Sequence, residues 1–387
     1  MNIGIDQIGF FTPNKYLDTV ELAKSRGIDP NKVLLGIGQQ QMAVADQTQD
    51  IVAMGINATL RYWDQVDVSR VGLLIVATES GIDQSKATAL FMKQALHLPG
   101  AVRAFEVKEA CYGLTAAVMI ARDYLAAHPN QTALVIGSDI ARYGLSSGGE
   151  VTQGAGSISL LLSTKPAILA LRAEHSNWSD DINDFWRPNE SPFAKVDGKY
   201  SKEVYLDFFT KTFKAYQAQT GLSGNDFSAI VYHLPFTKMG FKANQLALAD
   251  LDETSQARLS EHFIASKQLA MRVGNIYTGS LYLSLLSLLE QAALTPQALI
   301  GLFSYGSGAI GEFFAGELQA GYDKRLSPAT DMAMLDARQH VSVAQYEALF
   351  EAAARPPKPD QVLTSDELPG RWYFAGTKHG VRQYRQQ

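Results

Sequence analysis

The chain has 387 residues, of which 46% are hydrophobic, with 34 Lys and Arg against 39 Asp and Glu for a formal net charge of −5. That balance argues against a nucleic-acid-binding surface, which is normally basic, while the apolar fraction supports a sizeable core. A single cysteine excludes an internal disulfide and a cysteine-rich metal site. Met1-Asn2-Ile3-Gly4-Ile5-Asp6 lacks the basic-then-apolar order of a secretory signal, and the apolar runs fall short of a membrane span. A cytoplasmic protein without membrane contact is expected.

In chain order, helical patterns over 47–63 and 85–96 flank a strand over Val71–Ala77. A strand over Val102–Val107 runs into a long Ala-rich helix over Tyr112–Ala127. Strands over Ala133–Gly137 and Ser157–Leu162 follow. Asn177–Tyr200, rich in Asp, Asn, Pro and aromatics, reads as a long structured loop, a type that is often functional. Helices over 202–219, 238–249 and 279–293 then alternate with strands over Ala229–His233 and Leu299–Ser304. Beyond Phe314 the chain becomes more polar. Alternation of this kind predicts an α/β fold, and apolar runs without period-two alternation, such as Gly72-Leu73-Leu74-Ile75-Val76-Ala77, predict strands covered on both faces.

Three features recur in the same order along the chain. Thr152–Ser157 and Ser304–Ala309 each open an apolar strand, strands end at Glu79 and at His233, and helices begin at Cys111 and at Asn275. The joint ordering predicts a duplicated half, with halves 1–170 and 171–387.

The chemistry centres on Cys111, placed between a strand and the start of a helix. Unpaired backbone N–H groups and the helix dipole there favour a thiolate, hence a nucleophile; the plainer role for a lone cysteine is a small buried hydrophobe. His233 ends the strand Ala229-Ile230-Val231-Tyr232, where α/β proteins place ligands, though a core histidine capped by a backbone carbonyl fits as well. Asn275, in Gly274-Asn275-Ile276-Tyr277-Thr278, is either a helix N-cap or a donor to a substrate carbonyl, roles that are compatible. Glu79 follows a buried apolar strand. Such burial raises a carboxylate pKa towards neutrality and suits proton transfer, whereas the alternative is a loop carboxylate paired with Lys86. Gly148-Gly149, Gly154-Ala155-Gly156 and Gly306-Ser307-Gly308 form neither a dinucleotide fingerprint nor a Walker-type loop.

Taken together, Ala77-Thr78-Glu79-Ser80, Ile82-Asp83-Gln84-Ser85-Lys86, Glu109-Ala110-Cys111-Tyr112-Gly113, Val196-Asp197-Gly198-Lys199-Tyr200-Ser201, His233-Leu234-Pro235-Phe236 and Gly274-Asn275-Ile276-Tyr277-Thr278 resemble the bacterial 3-hydroxy-3-methylglutaryl-CoA synthases of the thiolase-like superfamily. The resemblance spans nearly the whole chain. It implies a five-layered αβαβα fold from two similar halves, a homodimer, and an acyltransferase of the mevalonate pathway. That enzyme condenses acetyl-CoA with acetoacetyl-CoA and water, giving 3-hydroxy-3-methylglutaryl-CoA and CoA, with no metal and no cofactor beyond these thioester substrates. It further implies that Cys111 accepts the acetyl group, Glu79 acts as acid and base, and His233 with Asn275 orients the acetoacetyl group. By the same resemblance Tyr143, Thr152, Ser201 and Ser307 lie near substrate, Asp184 is a family loop aspartate, and Lys238 and Lys242 meet CoA phosphates. Asn183, Trp186 and Leu114 depart from the residues usual in the family at those positions.

The alternatives are a β-ketoacyl synthase, which has no need of Glu79, and a β-branching synthase acting on an acyl carrier protein. An acidic carrier wants a basic patch at the tunnel mouth. The lysines are scattered along the sequence without an obvious cluster, which favours free CoA.

Overall fold

A computed structural model describes residues 2–191, 193–368 and 370–387; Pro192, within the expected long loop, lies outside the described residues. Nine strands make the central sheet: β1 (Gly4–Phe11), β2 (Val71–Ala77), β3 (Arg103–Val107), β4 (Thr132–Ile140), β5 (Ala155–Ser163), β6 (Leu169–Ser179), β7 (Ala229–Tyr232), β8 (Leu299–Gly306) and β9 (Ile310–Leu318). Their spatial order is β7-β8-β9-β6-β1-β5-β4-β2-β3.

The sheet pinches at its middle, where β1 and β6 pair only at Gly4 with Ala170 and Ile5 with Leu169. Outward from that seam one side runs β1, β5, β4, β2, β3 and the other β6, β9, β8, β7. The parallel pairs β2–β4 and β7–β8 occupy equivalent places. Glu79 and His233, which follow β2 and β7, therefore emerge at corresponding strand ends.

Between the two sheet halves lie α3 and α7, once the helices are numbered α1 (Ile51–Thr59), α2 (Thr88–Ala95), α3 (Gly113–Ala127), α4 (Gly198–Thr220), α5 (Thr237–Leu248), α6 (Glu253–Ser266) and α7 (Ser280–Gln291). Every residue of α7 from Ser280 to Leu289 is buried, as expected of a helix that is apolar on all faces. Thr115 of α3 and Tyr282 of α7 hold hydroxyls 3.2 Å apart, so the two helices meet in the middle layer. α1 and α2 cover one outer face and α4 the other. The fold is thiolase-like α/β.

Several elements differ from the sequence expectation. β1 and β6 are not among the strands expected from apolar runs, whereas β9 is the strand that Ser304–Ala309 opens. The expected loop 177–200 holds the end of β6, a two-residue hairpin pairing Phe185–Trp186 with Lys195–Val196, and the start of α4. α4 begins early because the Asp197 carboxylate caps the N–H groups of Lys199 and Tyr200. The polar stretch beyond Phe314 folds as helices Pro328–Asp336 and Val343–Ala354 and a hairpin of Trp372–Lys378 with Val381–Gln386. That hairpin is tied to α1 by Asn57, which accepts from Trp372 N, and by Asp50, which accepts from Arg382 and Tyr384.

One buried pair works against the folded state. Glu290, at the end of α7, has its pKa raised by burial and by the neighbouring Asp331, which Arg61 holds at 2.8 Å. A carboxyl whose pKa is raised on folding stabilises below its unfolded value and loses that contribution as pH rises through the folded value. Glu290→Gln is expected to raise Tm by a few degrees at pH 8 and to leave it nearly unchanged at pH 4, roughly the shift that 1 kcal/mol produces in a chain of this size. Thermal unfolding of both proteins across that pH range checks it.

Candidate active site

Cys111 sits between β3 and α3 in a turn where Ala110 takes a left-handed φ of 41°. Gly306 allows this turn to pack, since a Cβ there would meet the backbone N of Tyr112 at 2.8 Å and Glu109 O at 2.9 Å. The Cys111 thiol donates to Glu79 Oε1 across 3.1 Å. The expectation that the helix start favours a thiolate is overturned: burial, then Glu79, Asp139 and Asp184, push the Cys111 pKa well up. Three nearby carboxylates and desolvation outweigh one helix dipole, so the thiol must pass its proton on before it can attack.

Glu79 is not paired with Lys86, whose Nζ lies 3.9 Å from the Phe91 ring centroid instead. Burial first, and then Asp139, push the Glu79 pKa up to about 8 against the opposing Cys111 hydrogen bond and Arg187. Asp139, buried at the end of β4, accepts from Thr78 Oγ1, Glu79 N, Ser80 Oγ, Thr278 N and Thr278 Oγ1. This carboxylate was missed in the sequence. It follows an apolar strand just as Glu79 does, and the same reasoning applied to Gly137-Ser138-Asp139 selects it. Arg187, which donates to the Glu79 carbonyl oxygen, was missed too.

His233 lies at the end of β7, held by its backbone N–H to Phe303 O at 2.8 Å and by Tyr205, whose hydroxyl donates to its carbonyl. Burial drives its pKa down to about 3, so the imidazole is neutral at physiological pH. Its Nδ1 is buried without a partner among the described residues. A core histidine capped by a carbonyl would have that nitrogen satisfied, whereas this imidazole lines a cavity with Nδ1 unpaired, so the plainer core role is not filled.

Asn275 is not the N-cap of α7, which is Gly279, but its amide is fixed by the turn that leads into that helix. Its Oδ1 accepts from Tyr277 N and Ser280 Oγ, and one Nδ2 hydrogen goes to Tyr143 Oη at 3.0 Å, leaving the second N–H of the amide. Gly154 brings this loop close: a Cβ at 154 would clash with Val273 O at 2.5 Å and Asn275 O at 2.7 Å.

Cys111, His233, Asn275, Tyr143, Thr152, Ser201 and Ser307 line one cavity of about 440 Å³, completed mainly by apolar and aromatic side chains, a size that suits an elongated thioester. Asp184 stands outside this wall. Its buried carboxylate accepts from Ser201 Oγ, Tyr305 Oη and Gly308 N, so it pins the loop after β6 to α4 and β8, and the Ser201 hydroxyl is turned to it. Lys238 and Lys242 also lie outside the wall, on α5, whose Met239 lines it. Folding overturns the impression of scattered lysines. Lys242 feels Lys202 and Lys238 as repelling neighbours and Lys267 feels Lys238, so four lysines from α4, α5 and the end of α6 share one patch.

With a thiol and a neutral imidazole lining one cavity and a carboxyl in contact with the thiol, the comparisons with known proteins decide the family. The model for the hydroxymethylglutaryl-coenzyme A synthase N terminal matches residues 1–167 and that for its C terminal matches 244–357. The hydroxymethylglutaryl-CoA synthase of Enterococcus faecalis is 45% identical over 386 residues, covering all of both chains. The chain belongs to the hydroxymethylglutaryl-CoA synthase family. It is accordingly an acyl-CoA condensing transferase. A crystal structure of an HMG-CoA synthase complexed with CoA superposes with a TM-score of 0.94 at 37% identity, covering both chains fully. The polyketide-biosynthesis 3-hydroxy-3-methylglutaryl-ACP synthase of Bacillus subtilis strain 168 is more distant, at 30% identity over 91% of this chain and 89% of its own. No helix among the described residues is long and apolar enough to cross a membrane.

Proposed function

We propose that the chain joins acetyl-CoA to acetoacetyl-CoA and water, giving 3-hydroxy-3-methylglutaryl-CoA and CoA, through an acetyl-Cys111 intermediate. The observation that carries this reading is the 3.1 Å contact of Cys111 with a carboxyl whose pKa stands at about 8. In the first step the Cys111 proton passes to Glu79, the sulfur attacks the acetyl carbonyl, and the C–S bond to CoA breaks as the CoA thiolate takes a proton. In the second step Glu79 removes a methyl proton from the acetyl thioester. The resulting carbanion attacks the ketone carbon of acetoacetyl-CoA, and the tertiary alkoxide is protonated. In the third step water cleaves the Cys111 thioester, leaving a carboxylate and the free thiol. Neutral His233 and the second Asn275 N–H are suited to polarising the ketone, and Tyr143, Thr152, Ser201 and Ser307 to shaping its pocket.

Free CoA is favoured over a carrier-bound second substrate by the 45% full-length identity to a CoA synthase against 30% to a carrier-dependent one. Incubation with acetyl-CoA and acetoacetyl-CoA should consume the acetoacetyl thioester and release hydroxymethylglutaryl-CoA. Turnover only with carrier-bound acetoacetate would replace this reading with the β-branching one.

By charge the lysine patch fits an acidic carrier and CoA phosphates alike, so it does not separate the two; with free CoA favoured by the identities, the patch is assigned to CoA phosphates. Lys238→Ala with Lys242→Ala is expected to raise KM for both CoA substrates about two- to fivefold and to leave kcat nearly intact, as removal of uniform binding requires. Steady-state kinetics at low salt reads the effect, and an unchanged KM removes the assignment.

On the same reading, the halves 1–170 and 171–387 are the two units of a duplicated fold, and no cofactor beyond the substrates is required. We also propose a cytoplasmic homodimer: β3 is an edge strand with one side unpaired, which a second copy can cover.

A further inference from the structure

Cleavage of the condensed thioester needs water beside a sulfur that, on the proposed function, is then covered by a bound CoA thioester. Two cavities meet at that point. The tunnel of about 440 Å³ has Cys111 in its wall but not Glu79. A second cavity, of about 720 Å³, has Glu79 in its wall but not Cys111. The Cys111–Glu79 contact of 3.1 Å is therefore the partition between them.

The two chambers differ in chemistry. Aromatic and apolar side chains dominate the tunnel, among them Tyr143, Phe185, Phe236 and Met239. The second cavity is walled by Ser80, Gln84, Glu106, Lys108, Arg142 and Arg187, and exposed Gly81, Gln84 and Asn189 stand at its outer side. Arg142 and Arg187 are close enough to repel, and burial with that repulsion pulls the Arg142 pKa down to about 10. Lys108 and Arg187 are exposed and hold this chamber open to solvent, so it is hydrated while the tunnel is filled by substrate.

We propose that this polar cavity supplies the hydrolytic water, delivering it to the Glu79 face of the Cys111 thioester while the CoA thioester occupies the other face. The inference rests on the proposed condensation and adds to it a second route into the site. The water oxygen bonds to the thioester carbonyl carbon and the carbon–sulfur bond breaks. The Cys111 sulfur takes a proton by way of Glu79, and the new carboxylic acid releases one to solvent. Condensation is completed before this step, with substrate filling the tunnel side of the thioester and water reaching it from the other side.

The route can be plugged without touching the groups that react. A Cβ on Gly81 would lie 3.5 Å from Glu106 Oε1, an ordinary contact beside a residue of the same cavity wall, and the backbone there has no positive φ. Gly81→Trp should leave acetylation of Cys111 by acetyl-CoA at the wild-type rate. During turnover with both substrates it should lower kcat about tenfold or more, and intact-protein mass spectrometry after acid quench should show Cys111 loaded with the whole hydroxymethylglutaryl-CoA adduct. Asn189→Trp, from another part of the wall, makes the same test where Gly81→Trp does not fold. Wild-type kcat with no accumulated adduct in a folded plug variant would falsify the route, and so would equal slowing of acetylation. Failure of the wild-type protein to make hydroxymethylglutaryl-CoA would instead strike the proposed function itself, so the two failures are told apart.

Discussion

Cys111→Ala is expected to bring turnover down to the assay background, a loss of roughly 10⁴-fold or more, because the nucleophile and the group that retains the acyl chain are removed together. Cys111 is the only cysteine in the chain, so no other thiol can take over. Wild-type protein mixed briefly with acetyl-CoA alone and quenched in acid should carry one acetyl group by intact-protein mass spectrometry; the variant should carry none. The first half of a ping-pong reaction does not wait for the second substrate. An active wild-type enzyme without the adduct, or a variant that still turns over, would remove covalent catalysis from the mechanism.

Glu79→Gln separates the two half-reactions. Acetylation should survive at a reduced rate, since the variant loses the proton acceptor but also the charge that helps hold the Cys111 pKa up, so the thiol can give its proton to water, while condensation should fall by about 100-fold or more, the scale of a general acid–base contribution. The pH dependence identifies the group. The base form of Glu79 grows as pH rises, so wild-type condensation should climb through pH 8, where its raised pKa lies. In Glu79→Gln that limb should vanish. Asp139→Asn removes a negative neighbour, lowers the Glu79 pKa and should move the limb to lower pH. Unfolding is excluded as a cause by the sign of the linkage. A carboxyl with a raised folded pKa favours its neutral form, so a neutral Gln at 79 should leave Tm at pH 8 unchanged or higher. A Glu79→Gln protein that condenses at the normal rate would rule out this carboxyl as the base.

The part of the site legible in the sequence is the part carried at element ends. Glu79, Cys111 and His233 each sit at the end or start of an apolar run, and such runs announce themselves because covered strands and middle-layer helices leave no polar face. Asp139 has the same signature and is recoverable by the same reasoning. The strands that escaped are the ones with mixed patterning. β6, Leu-Ala-Leu-Arg-Ala-Glu-His-Ser-Asn-Trp-Ser, is buried only near its start, and its polar remainder reads as loop. The C-terminal hairpin is polar because it lies on the surface of α1 and is held there by Asn57 and Asp50.

By itself the sequence determined the α/β alternation, the order of the recurring features, and which residues bring a thiol, a carboxyl and an imidazole to element ends. Hydrophobic patterning is local, and it is written in residues a few positions apart. Only the tertiary structure decided the charge state of those groups. The helix start argues for a thiolate at Cys111, but the thiol is held neutral by burial and then by Glu79, Asp139 and Asp184, which reach it from the end of β2, from β4 and from the loop after β6. Only folding gathered Lys202, Lys238, Lys242 and Lys267 into one patch, turned Asp184 away from the cavity, and set Glu79 and Cys111 as a wall between two chambers. Electrostatic energy and enclosure depend on distance in space across elements far apart in the chain, and no window of sequence contains that distance.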